Sequence, residues 1–176
     1  MTFQIFKLRV LTIAFCLMAT VSINAQQLTQ MQTLIGQSLS KVNPSKPETM
    51  LNCIAELKRI DAMFPDSIQP KYEMALRSLN FSVMNPHAEQ TENLLADTEH
   101  TINKMEQMQG ANMSDVCTLR GFFYMVRIVQ NPAQNGQRYY MNVMQNYEKA
   151  LKINPDNQLA KQLQQKFFEG MKQAGR

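Results

Sequence analysis

The chain has 176 residues, of which 44% are hydrophobic and 18% charged, with 18 basic and 14 acidic side chains giving a formal net charge of +4. That length suits one ordinary domain or a short repeat array and is too short for a multidomain enzyme, while six Gly and seven Pro exclude a collagen-like or low-complexity chain. With no Trp and fourteen Met, apolar packing falls to Leu, Ile, Phe and Met.

The first element is a targeting segment. Met1 to Phe6 carries no acid, Lys7 and Arg9 supply positive charge, Val10 to Val21 is almost unbroken apolar sequence, and Ile23-Asn24-Ala25 sits where a signal peptidase would cut. The pattern predicts a secretory leader over 1–25 and a mature domain over 26–176. An apolar run of roughly 12 residues falls short of the ~20 a transmembrane helix needs, which argues against an anchor. Lipidation at Cys16 is disfavoured by the bulky Phe15 before it and by its place inside the apolar run. Loss of Lys7 and Arg9 lowers the net charge from +4 to +2. The basic residues that remain, such as Lys41, Lys58, Arg59, Lys71, Arg77 and Lys104, are scattered among Glu and Asp. No basic run could neutralise a row of phosphates, so no nucleic-acid partner is expected, nor any membrane insertion once the leader is removed.

Seven helices follow, predicted at 28–41, 46–63, 67–84, 88–108, 113–130, 137–153 and 157–173. Ser45-Lys46-Pro47-Glu48 has the spacing of a capping box for the second. Asn85-Pro86 places a cap residue before a first-turn proline for the fourth. The stretch Asn131-Pro132-Ala133-Gln134-Asn135-Gly136 reads as a loop before the sixth. Tyr140, Val143, Met144, Tyr147, Ala150 and Leu151 recur there at helical spacing. No stretch alternates apolar and polar residues long enough to argue for a strand.

Three of these helices end alike. Cys53, Leu57, Ile60 and Pro65 match Thr98, Ile102, Met105 and Gly110, and these match Val143, Tyr147, Ala150 and Pro155, each set 45 residues after the last. Spacings of four and three place three side chains on one helix face, and a terminating residue follows five positions later. Under the same shift Met31 and Leu34 align with Leu76 and Leu79, and those with Gly121 and Tyr124.

The run Tyr147-Glu148-Lys149-Ala150-Leu151-Lys152-Ile153-Asn154-Pro155-Asp156-Asn157 resembles the end of a tetratricopeptide repeat and its turn into the next. Gly121 and Tyr124 are similar to the small and aromatic residues by which that family's first helix packs closely. Tyr72, Ala75 and Leu79 fit the same template more loosely. The period of 45 departs from the family's ~34, and the 131–136 stretch reads as part of the excess. A repeat of ~40–47 residues also suits a HEAT-like array. The resemblance implies an all-α, tetratricopeptide-like superhelix of about three helical hairpins, closed by a C-terminal capping helix whose apolar stripe is Leu159, Leu163 and Phe167. It further implies a concave groove lined by Glu73, Arg77 and Asn80 on the third helix and by Thr118, Phe122 and Met125 on the fifth. The alternative for Phe122 and Met125 is the core.

Catalytic patterns are absent from the sequence. His87 and His100 stand thirteen residues apart, no Cys-x-x-Cys or His-Glu-x-x-His offers metal-ligand spacing, and no Gly-rich phosphate loop or Gly-x-Ser-x-Gly occurs. Asp97 and His100 share a helix face as a surface pair, and Glu89, Glu92, Asp97, Glu99 and Glu106 read as the wet side of the fourth helix. In the predicted order Cys53 and Cys117 fall two helices apart, too far for a disulfide, and are expected as buried thiols. No catalytic residue, cofactor or metal is expected. The sequence points to a non-enzymatic exported scaffold that binds a protein or peptide in the periplasm or outside the cell of a Gram-negative bacterium. The alternatives are a structural subunit of an envelope assembly and, third, a small enzyme drawing on His87, His100, Cys53 or Cys117.

Overall fold

A computed structural model describes residues 26–174, so the leader predicted at 1–25 lies outside the described residues. The chain divides into two compact units, Met1–Ser40 and Lys41–Arg176. In the first, helix α1 spans 26–40 and buries Met31, Ile35 and Ser38, which recur at the spacing of one helix face.

The second unit contains α2 (Pro47–Met63), α3 (Ile68–Met84), α4 (Thr91–Gln107), α5 (Met113–Gln130), α6 (Pro132–Ile153) and α7 (Gln158–Ala174). No strand occurs among the described residues, and the fold is all-α. Contacts are local in chain order. Helix α2 packs on α3 and α3 on α4, α5 touches both α3 and α4, α6 packs on α5, and α7 touches both α5 and α6.

Boundaries follow the expected spans within a few residues, but the punctuation differs in three places. The capping box at 45–48 does not form: Lys46 is the cap residue and no side chain caps α2. Thr49 instead folds the entry back, its hydroxyl accepting from the Asn43 amide at 2.9 Å and donating to the Lys46 carbonyl at 2.7 Å. Asn85 caps the end of α3 rather than the start of α4, its amide donating to the Phe81 carbonyl at 3.0 Å. The 131–136 stretch is not a loop. Asn131 closes α5 and opens α6 at once, accepting from the Gln134 amide at 3.2 Å, with Pro132 in the first turn where a missing N–H costs nothing. The Asn-Pro logic expected at 85–86 is therefore carried out at 131–132. Gly110 lies in the α4–α5 turn at φ +81°, a conformation that favours glycine.

All nine helical positions of the 45-residue pattern are buried: Cys53, Leu57 and Ile60 on α2, Thr98, Ile102 and Met105 on α4, Val143, Tyr147 and Ala150 on α6. The tightest contact joins α5 to α6. A Cβ added to Gly121 would lie 2.7 Å from Cε1 of Tyr147, so only glycine lets the ring seat against the α5 backbone. Tyr147 is fully buried, and burial pushes its hydroxyl pKa well above the ordinary tyrosine value.

Polar groups lock the turns. Lys71, read from sequence among scattered basic residues, is 1% exposed. Its Nζ donates to Asp61 Oδ1 at 2.5 Å, to the Pro65 carbonyl at 2.6 Å and to the Ser67 carbonyl at 3.1 Å, which uses all three of its protons. Asn157 plays the equivalent part before α7. Its side-chain oxygen accepts from the Ala160 amide, and its Nδ2 donates to Ser114 Oγ at 2.9 Å and Asp115 Oδ1 at 2.9 Å. The carboxylates expected as a wet face on α4 also reach other helices: Asp97 pairs with Lys58 at 2.8 Å, Glu92 with Arg127 at 2.7 Å and Glu106 with Arg120 at 2.9 Å. Exposed pairs of this kind contribute about 0–1 kcal/mol each, so they tune the stack that the apolar core holds.

Candidate functional site: an apolar groove

The helices α3, α5 and α7 share one open apolar groove of about 720 Å³. Asn80, Val83 and Met84 line it from the last turns of α3, and Phe122, Met125, Ile128 and Val129 from α5. Leu163, Lys166, Phe167, Gly170 and Met171 line it from α7. Pro44 and Met50 also line it, as do Pro132 and Gly136 from the start of α6. Each set recurs at helical intervals, so every wall is one face of its helix.

The walls repeat the interval seen in the core. Asn80, Met125 and Gly170 are spaced by 45 residues, as are Val83 and Ile128, Met84 and Val129, and Phe122 and Phe167. Phe122 and Phe167 lie deep, at 2% and 4% exposure, whereas Met84 at 79% and Val129 at 38% stand open to solvent. Met50, Met84, Met125 and Met171 give the surface unbranched side chains that adjust to a partner's shape. Lys166 is the lining residue that carries a formal charge.

Of the six residues expected to line a groove, Asn80, Phe122 and Met125 do so, the last two as buried side chains. Glu73 and Arg77 instead pair with each other at 3.0 Å along α3. Near them the Tyr72 hydroxyl is pushed up to about 12, first by burial and then by the negative charges of Asp115 and Glu73. Thr118 is fully buried, donating to the Ser114 carbonyl at 2.8 Å and accepting from Asn157 at 3.3 Å. The α7 wall is not evident from sequence periodicity alone, because Leu163 and Phe167 fit equally a stripe that closes the array. The signal that places them is the 45-residue step from Phe122 to Phe167.

Chemistry-bearing groups elsewhere are dispersed. His87 and His100 are exposed, and Asp97, the expected companion of His100, is engaged by Lys58. Cys53 and Cys117 are buried thiols on α2 and α5. Burial raises the Cys117 pKa above the ordinary thiol value, the opposite of what a nucleophile needs. No group of three or more potential metal ligands occurs among the described residues. No described helix is long and apolar enough to cross a membrane. Compared with known proteins, the chain matches no family model, no curated protein and no solved structure.

Proposed function

We propose that the protein is a non-enzymatic scaffold, exported to the bacterial envelope, that docks a protein or peptide in the groove lined by α3, α5 and α7. The observation that carries this reading is the groove itself, an open apolar surface holding exposed Met84 and Val129 on helix walls. Its helix pairs are read as tetratricopeptide-like repeats. In support, α5 touches both helices of the preceding α3–α4 pair, α7 touches both of the α5–α6 pair, and core and groove positions share one 45-residue interval. Export rests on the leader pattern of residues 1–25, so the N-terminus of the processed protein is expected at Gln26.

A photocrosslinking side chain placed in turn at Met84, Val129 and Met141 tests the docking surface in the native envelope. Met141 is 56% exposed and does not line the groove. Adducts of one defined mass are expected from positions 84 and 129 and not from 141. Equal labelling at all three, or none at 84 and 129, overturns the reading. Gel filtration separates the structural-subunit alternative, which requires an obligate oligomer where the scaffold is a soluble monomer. Phe122→Ala is a poor probe of docking, because emptying a buried aromatic site costs about 3–5 kcal/mol of stability whatever the groove binds.

A further inference from the structure

We propose that the occupant of this groove is an amphipathic α-helix that sets an acidic side chain against Lys166 and seats its backbone close over Gly136 and Gly170. The inference rests on the docking reading and names the partner's chemistry. Three observations lead to it. First, Asn80 and Lys166 are the lining side chains with hydrogen-bonding groups. An extended peptide would bring backbone N–H and C=O groups into the groove with few partners, whereas a helix satisfies its own. A helix laid by its apolar face into an apolar trough needs side-chain contact alone.

Second, Gly136 and Gly170 lie inside helices, where glycine is costly, and neither has an internal reason to be there. Neither has a positive φ, and a Cβ added to either would meet nothing within 4 Å. Gly121 differs, since its missing Cβ is filled by Tyr147. The unfilled space over Gly136 and Gly170 opens on the groove, where it lets another backbone approach.

Third, the charge is one-sided. Lys166 makes no ion pair among the described residues, and its neighbour Glu169 accepts instead from Gln165 at 2.9 Å. A helix carrying one Asp or Glu beside its apolar stripe complements it, and a neutral or basic helix does not.

Selection of a displayed library of random peptides of about 16 residues, long enough to span roughly 24 Å as a helix, tests the proposal directly. On the parent protein the enriched peptides are expected to carry apolar residues at i, i+4 and i+7 and an acid at one fixed offset. On Lys166→Glu that offset should turn basic, and the parent's acidic peptides should bind roughly fivefold more weakly, the scale of an exposed ion pair. On Gly170→Leu or Gly136→Leu the same peptides should lose more than about tenfold in affinity, while the variants melt no lower than the parent because the added side chain enters open space. Enrichment of proline-containing or strictly alternating peptides overturns the helix and leaves docking standing. Helical peptides indifferent to both the Lys166 and the glycine changes overturn it as well. Saturable binding of dodecanoate with no enriched peptide overturns docking itself and assigns the groove to a lipid chain.

Discussion

Where α5 meets α6, a Cβ added to Gly121 would stand 2.7 Å from the Tyr147 ring; where α7 lines the groove, a Cβ added to Gly170 would meet nothing within 4 Å. The first region is finished: a ring fills the space the glycine leaves, and the helices are bound into one piece. The second is complete as a wall and vacant as a contact. Both glycines weaken their helices by roughly 0.5–1 kcal/mol relative to alanine. Only at Gly121 does the fold itself recover that cost. One glycine is matched by the fold's own packing and the other faces open space, so substitutions at the two should respond in opposite ways.

The largest effect is expected at the closed site. Tyr147→Ala removes a fully buried ring and should destabilise the protein by about 3–5 kcal/mol in urea denaturation. Gly121→Ala forces a methyl against the same ring and should cost about 1–3 kcal/mol. If Gly121→Ala is neutral, α5 and α6 are not packed as described.

Next in size is Lys71→Ala, which leaves the Asp61 carboxylate and the Pro65 and Ser67 carbonyls without their shared donor. Asp61 keeps some contact with water, at 22% side-chain exposure, so the expected loss is about 2 kcal/mol rather than the full 3–5 of a buried broken pair. Lys71→Arg should not rescue, because a planar fork cannot aim three protons at these three oxygens. At the open site the sign reverses. Gly170→Ala should raise stability by about 0.5–1 kcal/mol, since alanine favours the helix and nothing opposes its methyl. A loss of stability there would mean that the wall is already in contact with another part of the chain.

The sequence was most informative where periodicity and packing agree. The step of 45 between Leu57, Ile102 and Tyr147 is visible because one face of each helix must be buried, and burial favours apolar or small side chains. It was less informative where two local rules use the same residues. An Asn before a Pro signals both a helix end and a helix start. At Asn85 the first outcome occurs and at Asn131 both do. Lys71 and Thr118 were misleading for a similar reason. Their side chains are polar by type but consumed by turns, and only the fold brings the Asp61, Pro65 and Asn157 partners within reach. Three of the sixteen lining residues, Asn80, Phe122 and Met125, were named as such from the sequence, all on α3 and α5. The α7 wall could not be placed, because an amphipathic last helix looks the same from sequence whether its stripe closes a stack or lines a trough.

The smallest effect is a pH dependence at the base of α5. Burial raises the pKa of Asp115 above the ordinary carboxylate value, and the hydrogen bond from Asn157 opposes that rise without cancelling it. A carboxyl with a raised folded pKa binds protons more readily in the folded chain than in the unfolded one, so its contribution to stability falls as pH climbs through the folded value. Asp115→Asn keeps an acceptor for Asn157 and removes the charge. It should therefore melt slightly above the parent at neutral pH, and the gap should close as pH drops below about 3.9, where the parent's carboxyl is protonated in both states. A gap that widens on acidification would mean that Asn157 stabilises the charged form more than burial disfavours it. The Asn157 tie between α7 and the start of α5 would then be electrostatic rather than a neutral hydrogen bond.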